Sequence, residues 1–201
     1  MIMERLKDYA LEVLSFSWPM VVISVIVAIS LRLTYLIANE KRFILYKELF
    51  MLAALVYVLC LFQVVTYRDV NWTGANYTPF KEIFRYKIGS SLFFRNVFGN
   101  MIMFMPYGLF VAIVTKTDKY RYVFLLASIA SLSIELTQLA IGRVFDIDDV
   151  ILNVLGALVG LAIYKLCLKI KHRVPDMFKS EMMLNILSIV LFGGLIWFLI
   201  P

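Results

Sequence analysis

Apolar runs long enough to cross a bilayer recur six times along the chain, at 16–38, 49–66, 97–115, 122–141, 150–168 and 182–200. A hydrocarbon layer about 30 Å thick takes about 20 helical residues. No water reaches a backbone amide there, so each run must satisfy its own hydrogen bonds as a helix. The predicted fold is all-α, a polytopic membrane helix bundle of about six transmembrane helices. Polar positions interrupt these runs with helical spacing. Ser128, Ser131, Glu135 and Gln138 recur at three- and four-residue steps in the fourth run. Asp146, Asp149 and Asn153 share one face at the start of the fifth. Gly156 and Gly160 continue that face as a seam of small residues, which lets another helix approach closely. Asn96 and Asn100 stand at the entrance of the third run, and Pro106 deeper within it predicts a kink.

The 67–95 connection also carries a pattern. Thr78 followed by Pro79 reads as an N-cap and a first helical position. Phe80, Ile83, Phe84 and Ile88 then make an apolar face, ringed by Lys81, Arg85 and Lys87. That pattern predicts a short interfacial helix in the headgroup layer; an aromatic belt anchoring the loop fits equally well.

Charge adds orientation. The net charge is +6, but the basic residues are spread among connections rather than gathered on one soluble face, which argues against a nucleic-acid partner. Eleven Lys and Arg residues flank the first, third and fifth connections, and eight fall on the other side. By the positive-inside rule both termini are expected to be extracytoplasmic, with Arg32 snorkelling toward the inner face. The long first run, with no small-residue cleavage site, is expected to be a retained anchor. The expected organisation is an extra N-terminal transmembrane helix at 1–44, a four-helix core at 45–168, and a basic loop with a last helix at 169–201. Cys60 and Cys167 lie in apolar runs, without the spacing of a disulfide framework or a zinc site, and are expected to be buried.

Two crossings return a chain to the same face, so the third run begins where the fourth ends and the fifth begins. Asn96, Asn100, Glu135, Gln138, Arg143, Asp146, Asp149 and Asn153 should therefore gather at one interface, the outer one by the charge count. A structural reading has Asp146 capping the fifth helix, Arg143 neutralising the aspartates, and Asn and Gln stapling helices together. A functional reading makes the cluster a site for a polar headgroup or a cation, because a poorly solvated carboxylate keeps its proton unless a cation or donor compensates. Glu135, Asp146 and Asp149 are candidate oxygen ligands for a divalent cation. Alternatively Glu135 exchanges a proton as acid or base, with Asp146 and Asp149 orienting the substrate. Asn96, Asn100, Gln138, Arg143 and Asn153 are the candidate ligand-binding residues. Asp148 points away from the shared face and should matter less. The only histidine, His172, lies at the far end of the fifth run, so no nucleophile–histidine–acid set exists.

With these pieces in order, the chain resembles the VanZ-like family of small bacterial membrane proteins, named for a teicoplanin-resistance protein. The resemblance rests on 76–80 (NYTPF), 96–100 (NVFGN) with Pro106 and Gly108, 135–138 (ELTQ), 146–149 (DIDD), and Asn153, Gly156 and Gly160. It implies a multi-pass protein of the bacterial cytoplasmic membrane. It also implies, as in the named member, lowered susceptibility to lipid-tailed glycopeptide antibiotics. The expected partner is a membrane lipid or lipid-linked wall precursor, or the glycopeptide itself. A membrane enzyme modifying a lipid-linked envelope component is the alternative. A small transporter ranks last, since transporters favour midplane sites and repeated halves.

Overall fold

A computed structural model describes residues 2–66, 75–87, 89–171, 173 and 175–199. The helices are α1 (Ile2–Ala38), α2 (Leu45–Thr66), α3 (Lys81–Arg85), α4 (Ser91–Phe93), α5 (Gly99–Thr115), α6 (Tyr120–Ala140), α7 (Ile147–Lys171) and α8 (Glu181–Leu199). A π turn over Phe94–Phe98 joins α4 to α5, and a 3-10 turn over Asp176–Lys179 precedes α8. Among the described residues five helices are long and apolar enough to cross a membrane. The sixth expected run is also helical, with its apolar portion at Glu181–Gly194. Leu, Ile, Val and Phe side chains cover the outer faces of these helices, as an apolar solvent permits. The chain is a multi-pass membrane protein. His172, Ile88 and the 67–74 part of the long connection lie outside the described residues.

The chain divides into two compact units. One comprises Met1–Val64 with Val174–Pro201. Between its helices, Arg32 in α1 makes a bidentate pair with Glu48 in the first turn of α2, at 2.8 and 3.0 Å. Arg32 thus meets a carboxylate on the neighbouring helix, where sequence alone suggested only snorkelling. Arg42 meets Glu181 at 3.1 Å, and the Tyr46 amide donates to Asn185 Oδ1 at 3.0 Å.

The other unit, Val65–Arg173, is built around α7, which packs most extensively on α5 and then on α6. Glycines set the α5–α7 distance. A Cβ added to Gly156 would run into the Met101 carbonyl, one on Gly160 into that of Met105, and one on Gly108 into that of Ala157. Backbone thus meets backbone along two turns of α5 and one turn of α7. Around this seam the core holds Phe104, Ala112, Val123, Ala127, Val154, Ala157 and Leu161. Cys60 is half-buried, but Cys167 sits on the exposed face of α7, away from the seam.

The short helix in the long connection starts two residues later than the Thr78–Pro79 signal suggested, at Lys81 rather than Pro79. Phe80 occupies its N-cap in a left-handed conformation (φ 67°) and offers no side-chain cap. The cap comes from another element, as described below. Phe80 and Phe84 are exposed beside Lys81 and Arg85.

Candidate functional site

One end of the Val65–Arg173 unit concentrates its polar side chains. The buried face of α6 runs Val123, Ala127, Ser131, Glu135 and Gln138, so helical periodicity carries an apolar stripe into a polar one. Glu135 is 2% exposed. Its Oε2 accepts the Asp146 amide at 3.0 Å. The Gln138 amide satisfies its neighbours when its NH2 donates to Glu135 Oε1 (3.0 Å) and its oxygen accepts from Arg143 Nη1 (2.7 Å). Arg143 also donates to the Val65 carbonyl. A buried carboxylate, an amide and a guanidinium are therefore joined in series, the arrangement that low-dielectric surroundings require of polar groups.

Asp146 and Asp148 serve backbone amides. Asp146 Oδ1 accepts the Asp148 amide (2.9 Å), capping the first turn of α7, and accepts Asn76 Nδ2 (2.9 Å). Burial holds the Asp146 carboxyl above the usual carboxylate range, against the opposing pull of those two donors. Asp148 is 1% exposed and accepts the amides of Phe80, Glu82 (2.7 Å) and Ile83 (3.2 Å). It is the missing N-cap of α3, supplied from α7. Asn76 adds a backbone bridge, donating to the Phe145 carbonyl (2.8 Å) and accepting from the Ile147 amide (3.0 Å). Tyr77 stacks on Phe145 with centroids 5.4 Å apart. The 76–85 segment is thereby clasped over the α6–α7 turn.

Farther into the bundle, Asn100 of α5 donates to Asp149 Oδ1. Asn153, one turn along α7, donates to Ser131 Oγ of α6 at 2.9 Å. Its other atom, Asn153 Oδ1, is the only buried side-chain nitrogen or oxygen among the described residues without a hydrogen-bond partner. The structure thus brings Asn100, Glu135, Gln138, Arg143, Asp146, Asp149 and Asn153 together at one end of three helices. Asn96 lies one turn before Asn100 in the π turn, half-buried, and its side chain does not join the network. Among the described residues no three His, Cys, Asp or Glu side chains are grouped as a metal site requires.

Asp148 is more buried than its place on the helix suggests. Its position lies off the α6-facing stripe, as helical spacing dictates, yet it is the most buried of the described aspartates. At a helix start the side chain need not face the bundle to be buried, because a returning loop covers the end. No local pattern marks that loop. The only sequence signal would have been three amides at 80–83 lacking a local cap.

These features define a class: a multi-pass helical membrane protein with a glycine-seamed core and a polar network closing one end. Its family follows from comparison. The VanZ/LLP1 family model matches residues 48–168, and the chain belongs to that family. No curated protein and no solved structure matches the chain.

Proposed function

We propose that the polar end of the α5–α6–α7 bundle is an outward-facing site of the bacterial cytoplasmic membrane. It engages the headgroup of a membrane lipid or lipid-linked wall precursor, and through it lowers susceptibility to lipid-tailed glycopeptide antibiotics of the teicoplanin type. The observation that carries this reading is Asn153 Oδ1. A buried acceptor left open costs about 1–3 kcal/mol, and here it stands beside Ser131 and one α7 turn from Asp149. Glu135 is buried in the same end of the bundle. An open acceptor beside buried carboxylates suits a ligand that brings a donor: a hydroxyl, an ammonium group or an amide N–H. The clasped 76–85 segment forms the rim.

The test compares the lipid and wall-precursor profile and the teicoplanin susceptibility of cells with and without the protein. Altered susceptibility with unchanged lipid chemistry supports a binding site. A new or missing lipid species would instead make Glu135 an acid or base and the protein an enzyme. Glu135→Gln separates both from a structural staple: a fully active variant would remove proton transfer and charge-based cation binding together. Orientation is tested by single cysteines at Ser90 and Gly142 in a background lacking Cys60 and Cys167. Both should react with an impermeant thiol reagent in intact cells, whereas a cysteine at Thr117 should not. The reverse pattern would turn the site inward and remove the link to wall precursors.

A further inference from the structure

The opposite end of α6 carries a second feature, independent of the polar network. The 21 residues of α6 place it about 30 Å away, a bilayer's hydrocarbon thickness. A groove of about 680 Å³ opens there, lined by Lys119, Tyr120, Arg121, Phe124, Leu125 and Leu158. The Lys165 ammonium of α7 lies 4.1 Å from the centre of the Tyr120 ring. Lys119 lies 5.9 Å from the ring of Tyr122, which also borders the groove. Among the described residues none of Lys119, Arg121 and Lys165 is paired with a carboxylate. The only ion pairs found there involve Arg32, Arg42, Arg85 and Lys179. Lys119 and Lys165 are thus held against the rings of two groove-lining tyrosines, Arg121 lines the groove itself, and Phe124, Leu125 and Leu158 make its apolar wall.

We propose that this groove binds an anionic phospholipid. The phosphate sits among Lys119, Arg121 and Lys165, and an acyl chain follows Phe124, Leu125 and Leu158. Charge complementarity selects the headgroup, since basic pockets at a membrane interface attract acidic lipids. The apolar wall selects a lipid over a soluble phosphate, which would leave Phe124 and the two leucines unused. The tyrosine rings place the cations at headgroup level, where amphipathic aromatic side chains settle.

The experiment uses the full-length chain in detergent micelles, with bound lipid counted by native mass spectrometry. Phosphatidylglycerol should be retained in preference to phosphatidylcholine. Lys119→Gln, Arg121→Gln and Lys165→Gln should each weaken phosphatidylglycerol binding ~5-fold. The pair Lys169→Gln and Lys171→Gln, at the end of α7, should change it far less. Equal loss in that control pair would mean diffuse surface charge and overturn the proposal. So would displacement of the lipid by inorganic phosphate at matched concentration, which would point to a soluble anion. Leu158→Trp leaves every charge in place but fills the groove, and it serves if the charge variants fold poorly. It should lower phosphatidylglycerol retention, and undiminished retention would sink the idea.

Discussion

The two compact units use the same residue types to different ends. In the Val65–Arg173 unit, Gly108, Gly156 and Gly160 each face a backbone carbonyl, so the absence of a side chain sets the distance between α5 and α7. In α8 of the other unit, Gly193 and Gly194 meet nothing within 4 Å. Acidic residues diverge likewise. Glu48 is held by one arginine, whereas Glu135, Asp146, Asp148 and Asp149 are held by backbone amides and side-chain amides. In a membrane, apolar burial drives little helix association, so packing and internal hydrogen bonds decide which helices cohere. The α5–α7 pair has both. The α1, α2 and α8 helices have a few ion pairs and broad exposed apolar faces.

The contrast is broken most sharply at the glycines. Gly156→Leu should cost on the order of 3 kcal/mol or more, because a rigid backbone carbonyl occupies the space. Folded, monodisperse yield from detergent extracts would fall steeply, while Gly193→Leu should stay within about 0.5 kcal/mol of the parent. Equal yields for the two variants would mean that α5 and α7 do not touch.

A smaller loss is expected at Asp148. Asp148→Asn replaces one acceptor oxygen with an NH2 group aimed at backbone donors, costing about 1–3 kcal/mol. Amide exchange at 80–85 should accelerate, with the helices otherwise protected. Asp149→Asn should be milder in exchange, since Asp149 accepts from the Asn100 side chain, whereas the backbone amides of Phe80, Glu82 and Ile83 donate to Asp148. The reverse order would return Asp148 to the minor role that helical spacing assigned it.

In the α1–α2 pair, Arg32→Ala and Glu48→Gln should each lower thermal stability less than Gly156→Leu. Their double mutant should lose less than the sum of the singles, as a direct pair requires. Strict additivity would show that the pair does not form.

The smallest expected effect concerns pH. Because burial raises the Asp146 carboxyl, the folded state holds its proton to higher pH than the unfolded chain does. Its contribution therefore favours the folded state as pH falls toward the ordinary carboxylate range, and opposes it as pH rises through the raised value. Asp146→Asn keeps an oxygen for Asn76 and the Asp148 amide. It should leave neutral-pH stability little changed and flatten the stability–pH curve of the Val65–Arg173 unit, read by thermal melts between acidic and neutral pH. An unchanged slope would assign the titration to another group.

Hydrophobic runs alone determined the long helices, because a lipid environment forbids unpaired backbone, but not every end: α1 begins at Ile2, well before its apolar run. They also determined the stripe of Ser131, Glu135 and Gln138 on α6, since 3.6-residue periodicity is local. The i, i+4 spacing of Gly156 and Gly160 marked a seam, but not its partner. That partner is the α5 backbone at Met101 and Met105, and only packing chose it. Tertiary structure alone made Asp148 a cap for α3, joined Asn76 to the α6–α7 turn, set Arg32 against Glu48, and left Asn153 Oδ1 open. Each depends on which segment folds back over a helix end or stands beside it, at separations from 16 to 70 residues in the bonded pairs. Periodicity reports the face on which a side chain sits; the chain that arrives to meet it is fixed by packing across distances that no local pattern encodes.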